Sequence, residues 1–292
     1  MFMKNEDKTY KYLLLLAMLL WGGGWTALKI LTYTQAMEVI VFWRFFLMSL
    51  SFIPILYFFK KPITLNKGAL VYIGSGAVLN ILFMVFAFIG IYSGLAGSGS
   101  VIITTFSPIL TFILFAFLYK KHLTSVQYIA LFLGLTGGFI LLELENISQF
   151  LNGSNIYFLL CALIWAGVTL LSQHSAKYIH PIHYSFFISL IATIASFMYA
   201  YNSNLLSVFD EGLEFWVSLV YLAILGQTVA TTIFFMASSK LGSQTTSSFM
   251  FLVPIFALLS AWLILDEQIE THIIIGGCIS MFAVYYLNKK LL

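Results

Sequence analysis

The 292-residue chain is 61% hydrophobic and only 9% charged, with a mean hydropathy of +0.99. A soluble domain carries about 25% charged residues, so this composition excludes a water-facing surface and marks an integral membrane protein. The net charge of +3 says little alone; the distribution of the charges says more, and no nucleic-acid partner is expected.

Apolar runs of about 20 residues imply helices, because each segment must satisfy its own backbone N–H and C=O groups inside a bilayer. The ten-residue alternating units of a β-barrel do not occur. At the start, Lys4, Lys8 and Lys11 precede YLLLLAMLL. That resembles a signal peptide, but the apolar run continues through Trp21 to Ile30 without a small-residue cleavage site, so an uncleaved first helix is expected. The predicted spans are 12–31, 37–59, 68–92, 96–119, 124–142, 155–173, 182–201, 214–239, 244–265 and 271–288. With a cytoplasmic N-terminus, the inner side receives Lys4, Lys8, Lys11, Lys60, Lys61, Lys67, Lys120, Lys121, Lys177, Lys240, Lys289 and Lys290. The outer side receives Glu38, Glu143, Glu145, Asp210, Glu211, Glu214, Asp266, Glu267 and Glu270. This meets the positive-inside rule and places both termini in the cytoplasm, at a cell inner membrane.

The stretch PILTFILFAFLYKKH at 108–122 and the stretch PIFALLSAWLILDEQ at 254–268 align at an offset of 146, half the chain. An offset of 144 sets Trp21-Gly22-Gly23 on Trp165-Ala166-Gly167. The chain therefore reads as two halves, 1–146 and 147–292, of five helices each. Five is odd, so the second half enters the membrane upside down. The lysines after the fourth helix and the acids after the ninth follow from that inversion. Inverted repeats are a common architecture of secondary transporters, with the site near the midplane. The expected fold is all-α, with ten transmembrane helices as two inverted five-helix repeats.

LLWGGGWTALKI followed by VFWRFF, and SPILTFILFAFLYKKHLT in the same half, resemble the first-repeat pattern of the EamA family of the drug/metabolite transporter superfamily. VPIFALLSAWLILDEQI followed by IIIGGCIS is similar to its second repeat. Two positions depart: Lys121 replaces the usual Glu, and Ala36-Met37 lack a Pro often found before the second helix. The resemblance covers the whole chain. It implies ten helices, alternating access and usually export of small metabolites, amino acids among them.

Nine residues are candidates for substrate binding: Trp21, Lys29, Arg44, Asn80, Ser100, Thr104, Trp165, Gln227 and Ser247. Arg44 lies about 12 Å into the second helix at 1.5 Å per residue, and Arg at a helix centre costs about 2.5–3.5 kcal/mol on insertion scales. It is read either as a cavity cation for a substrate carboxylate or as a structural tie to helix-end carbonyls or to an acid such as Glu38. Lys29 either snorkels to the outer interface or joins Arg44 at an electropositive mouth. Asn80 and Gln227 fall one position apart under the repeat offset; they bind substrate or tie helices together. Trp21, Trp25 and Trp165 are too deep for the interfacial belt and either line a cavity or face lipid.

Pro108 and Pro254 are read as mid-helix kinks, hinge or static bend. The freed carbonyls of Thr104 and Met250 would be served by Thr104, Thr105 and Ser107, and by Ser247 and Ser248. The pair Gly134/Gly138 is a lone GxxxG that packs within the monomer or joins two protomers. Cys161 and Cys278 are read as small buried hydrophobes. Asn146 and Asn152 head formal glycosylation sequons.

Function classes narrow accordingly. Neither H-E-x-x-H nor G-x-S-x-G occurs, and Gly97-Ser98-Gly99-Ser100 is not a phosphate loop. His174, His180 and His183 are placed on a cytoplasmic loop. Charged rings of an ion pore are missing. No helix centre holds an Asp or Glu, which argues against a polycation drug pump. A secondary active transporter is expected, not an enzyme, with no cofactor. Its partners are a small-molecule substrate and the lipid bilayer, and it acts as a monomer or homodimer. Cationic or neutral drug-like compounds are the alternative cargo to amino acids.

Overall fold

A computed structural model describes residues 2–60, 62–93, 96–142, 153, 155–266 and 271–288. Glu143, Glu145, Glu267, Glu270, Lys61, Lys289, Lys290 and the two sequons lie outside the described residues.

Among the described residues the regular elements are helices alone. Seven come first: α1 (Phe2–Thr32), α2 (Met37–Phe59), α3 (Lys67–Ser93), α4 (Ala96–Tyr119), α5 (Ser125–Leu141), α6 (Asn155–Ser175) and α7 (Pro181–Tyr199). A 3₁₀ turn at Leu205–Asp210 leads to α8 (Leu213–Leu241), α9 (Ser243–Leu265) and α10 (Thr271–Asn288). Eight of them, α1–α4 and α6–α9, are long and apolar enough to cross a membrane. The 17-residue α5 and the apolar part of α10, Ile274–Leu287, are shorter.

Local chemistry sets the ends. Thr124 and Gln127 form a capping box at the start of α5, each side chain accepting the other's backbone N–H. Pro181 opens α7, where its missing N–H is not needed. At the C-termini of α2, α4 and α9, Lys60, Lys120 and Asp266 turn left-handed, with φ of 48°, 51° and 53°.

The helices pack through small residues. α5 lies along α10, α6 against α3 and α4, α1 against α9 and α8, and α2 against α7. A Cβ on Gly134 would stand 2.4 Å from the Phe251 ring, and one on Gly138 2.4 Å from Thr105 Cγ2. The GxxxG motif is thus consumed by packing within the chain. Leu14, Met18, Phe234 and Phe251 are fully buried, whereas Phe117, Met198, Leu213 and Leu263 stand exposed, as lipid-facing side chains do.

Several sequence expectations change. Pro254 is not mid-helix. α9 is α-helical over Ser243–Ser248, 3₁₀ over Phe249–Leu252 and α-helical again from Val253, so Pro254 sits in the first turn of the second piece, where proline fits. Pro108 does lie inside α4. The hydroxyls assigned to the freed carbonyls go elsewhere: Thr104 Oγ1 donates to Ser100 O (2.7 Å), Ser107 Oγ to Ile103 O (2.6 Å), Ser247 Oγ to Gln244 O (3.1 Å) and Ser248 Oγ to Thr245 O (2.7 Å). A hydroxyl on a helix reaches most easily the carbonyl three or four residues back. The histidines do not share a loop: His174 is in the last turn of α6, His180 caps α7 and His183 is buried within α7. Cys161 is buried but Cys278 is exposed, and both are free.

Candidate functional site

The centre of α8, Tyr221–Thr231, is π-helical. π segments are rare and concentrate at functional sites. Two α1 contacts help to hold it. Trp21 Nε1 donates to Gly226 O at 2.9 Å, and Tyr221 OH donates to Leu20 O at 3.2 Å. Tyr221 can reach α1 only because position 23 is glycine; a Cβ there would lie 2.3 Å from the tyrosine oxygen. From α2, Ser51 Oγ meets Thr228 Oγ1 at 2.6 Å.

This segment forms one wall of a cavity of about 140 Å³. Six of the nine candidate substrate residues line it: Trp21, Arg44, Asn80, Thr104, Trp165 and Gln227. They come from six helices, α1, α2, α3, α4, α6 and α8. The other three do not reach it. Lys29 is exposed on the last turn of α1. Ser100 is buried one turn before Thr104, and Ser247 is buried in the first piece of α9. The sequence reading did not single out Phe83, Met84, Phe88, Leu222, Gly226, Thr231 and Met250, which complete much of the wall. Trp25 lines it too.

The lining positions fall in the second halves of α1 and α3 and the first halves of α2 and α4. They therefore share the end of the bundle that carries Glu38, Asp210 and Glu211. The opposite half is filled by a packed cluster that includes Leu14, Met18, Ile73, Phe112, Val168 and Tyr184. A second cavity, at the end where the lysines gather, is lined by Tyr119, Lys121, Gln173, His174 and Lys177 among others.

The wall of the first cavity is mostly aromatic. Trp21 and Trp165 meet edge to face at 5.5 Å between centroids, and Phe83 packs on Trp165 at 5.3 Å. Trp165 Nε1 is buried with no hydrogen-bond partner among the described residues, and an orphaned donor of this kind costs about 1–3 kcal/mol.

Arg44 supplies the only arginine of the sequence. With the Gln227 amide turned so that its oxygen faces the guanidinium, that oxygen accepts from Arg44 Nε at 3.0 Å and also from Nη2. The Gln227 nitrogen then donates to Thr231 Oγ1 at 3.1 Å. Two of the acids at this end are engaged elsewhere. Glu38 Oε1 accepts from Ser203 Oγ at 3.2 Å, and Glu211 Oε1 accepts from Gln35 Nε2 at 2.7 Å. Among the described residues no carboxylate pairs with Arg44. Nor do they contain a group of three or more His, Cys, Asp or Glu residues able to hold a metal.

The sequence model of the EamA-like transporter family matches residues 9–142 and again residues 153–289. The chain belongs to the EamA-like transporter family. The family is named for transport, and among the described residues the chain carries eight helices long and apolar enough to cross a membrane. Among its relatives, an uncharacterized transporter of Synechocystis, sll0355, is 28% identical over 212 residues, 67% of this chain and 64% of that protein. An S-adenosylmethionine uptake transporter of Rickettsia bellii is 22% identical over 264 residues, 86% of this chain and 85% of that protein. A protein of known crystal structure superposes with a TM-score of 0.75 at 16% identity, covering 97% of each chain; at that identity the likeness speaks for the fold alone.

Proposed function

We propose that this EamA-family chain is a secondary active transporter of small amphipathic metabolites that carry a carboxylate, amino acids foremost. It moves them by alternating access, in the direction of export. Ten crossings, arranged as inverted repeats 1–146 and 147–292, form the frame. Three observations support the repeat. The family matches twice, once in each half. Lys120 and Asp266, related by the 146-residue offset, both end their helices left-handed. Lysines and acids alternate with topology as the inversion requires.

The observation that carries the substrate reading is Arg44. A guanidinium on the wall of an aromatic cavity, with no described acidic partner, is matched by a carboxylate, which it binds through two parallel N–H···O bonds. The ring faces around it suit an apolar side chain or a cationic group. In the proposed orientation the cavity belongs to the outer half, and the packed half closes the cytoplasmic side. A cation in the wall disfavours cationic compounds that lack an anion. S-adenosylmethionine, named in one relative, combines an amino-acid carboxylate with a sulfonium and fits the same chemistry. That relative is named for uptake, so transport should be followed in both directions.

The test is counterflow in proteoliposomes. Vesicles are loaded in turn with amino acids by class, S-adenosylmethionine, sugars and cationic dyes, and entry of the labelled species is measured. Exchange of aromatic or branched amino acids supports the proposal. Exchange confined to sugars or carboxylate-free cations overturns it.

A further inference from the structure

We infer that Gln227 is a specificity-determining latch: its amide oxygen holds the edge of the Arg44 guanidinium that a substrate carboxylate must take, and only an anionic oxygen pair displaces it. The inference rests on the carboxylate reading above and assigns to Gln227 a role that reading does not need.

The geometry is specific. With the Gln227 amide turned to face the guanidinium, its one oxygen accepts from both Nε and Nη2 of Arg44. Those two N–H groups form one edge of the guanidinium fork, the edge that a carboxylate grips with both oxygens. Gln227 thus imitates with one neutral oxygen what a substrate supplies with two charged ones. Hydrogen bonds to an ionised acceptor are roughly twice as strong as neutral ones. A carboxylate therefore displaces the amide, while a neutral carbonyl meets an equal competitor and gains nothing. The latch screens cargo by charge in a cavity whose other walls are largely indifferent to it.

The surroundings provide for release. Gln227 stands in the π-helical stretch of α8, and Thr231, one turn on, already accepts from its nitrogen. The contacts that hold this stretch to α1 and α2 run through Gly226 O, Tyr221 OH and Thr228 Oγ1. These contacts do not involve the Gln227 side chain, so the amide can leave Arg44 while they still hold the wall. A latch that leaves Arg44 also removes a tie between α2 and α8, the two helices whose contact would follow cargo binding.

The single arginine makes the test direct. Protein labelled with ¹⁵N-arginine gives one Nε–H resonance, that of Arg44. Wild type is compared with Gln227→Met, which keeps the volume but lacks the oxygen, and Gln227→Asn, which draws the amide back by one methylene. In detergent micelles without added probe, both variants are expected to shift the Nε–H signal. Saturating L-phenylalanine should then bring all three proteins to a common position. Binding of L-phenylalanine should tighten about two- to tenfold in both variants, the worth of one competing neutral hydrogen bond. L-phenylalaninamide, which the latch holds off in wild type, should also bind more tightly in both variants, so that part of the discrimination against it is lost.

An unmoved Nε–H signal in Gln227→Met, in protein with an unaltered gel-filtration profile, overturns the latch whatever the cargo proves to be. Weaker L-phenylalanine binding in both variants also overturns it, because Gln227 would then be a substrate ligand. If the variants shift the signal but L-phenylalanine binds none of the proteins, the latch geometry stands. The amino-acid reading then falls separately.

Discussion

Arg44 and Lys29 carry the same charge on neighbouring helices, in settings that give them different work. Arg44 borders the cavity and, among the described residues, faces a neutral amide and no carboxylate; Lys29 is exposed at the end of α1. Lys29→Ala is therefore expected to leave substrate exchange within about twofold of wild type, the scale of exposed charges. Arg44→Lys keeps the charge but loses the planar fork, and its affinity for carboxylate substrates should fall about tenfold or more. Both are read from concentration dependence in counterflow. The cysteines offer a test independent of transport: a membrane-soluble maleimide should label exposed Cys278 and spare Cys161, whose Sγ lies buried 3.4 Å from Phe83 O. Equal labelling would contradict the packing of α3 on α6. At this scale the sequence shows some polar residues well and misplaces Lys29, Ser100 and Ser247, which do not reach the cavity. Arg44, Asn80, Thr104 and Gln227 stand out because polar groups inside apolar runs are costly, and all four reach the cavity. Phe83, Met84 and Met250 leave no trace, since a chain with 29 Phe and 10 Met offers no contrast by which to choose them.

Among the helices, boundaries are far more legible than internal geometry. The apolar runs predict where α1–α10 lie to within a few residues, except that α1 begins earlier, because length and hydropathy alone fix a segment that must satisfy its own backbone. The π-helical centre of α8 has no sequence signal. It arises from contacts with α1 and α2 that only the assembled bundle provides. Pro254 misleads for the same reason: the sequence shows a proline inside an apolar run, not the 3₁₀ turn that ends one helix and starts another before it. Pro254→Ala should then change little, whereas Pro108→Ala, inside a continuous helix, restores a backbone hydrogen bond and should stiffen α4. The expected outcome is a higher unfolding temperature for Pro108→Ala than for Pro254→Ala. Glycines divide in the same way. Gly138→Leu drives a side chain into Thr105 and should lower the unfolding temperature by several degrees, the scale of overpacking. Gly74 has nothing within 4 Å of an added Cβ, so Gly74→Ala should leave the unfolding temperature unchanged or raise it, with a gain of about 0.5–1 kcal/mol in stability. Thermal unfolding in detergent by tryptophan fluorescence checks all four.

For the whole molecule, charge distribution and fold support one another. The cavity lies at the end that carries Glu38 and Glu211, and the packed cluster at the end that gathers lysines. In the orientation proposed from the positive-inside rule, the cavity of the described conformation faces the outside. The proposed repeat rests on two proline-led runs whose matched ends carry opposite charges, as an inverted topology would require. The substrate could not, since the sequence shows an arginine in a helix but not whether an acid meets it. That pairing bears on the choice between a structural tie and a cargo site, and only the folded chain shows Glu38 accepting from Ser203. The most direct measurement of the central claim is counterflow of L-phenylalanine and L-phenylalaninamide by wild type and Arg44→Ala, with folding checked by gel filtration. The account expects wild type to exchange the acid and discriminate against the amide. Arg44→Ala should lose about thirtyfold or more in affinity for the acid, corresponding to about 2 kcal/mol or more for a desolvated charge pair, and lose the discrimination with it. Undiminished exchange of L-phenylalanine by folded Arg44→Ala would contradict the assignment of the carboxylate site to Arg44.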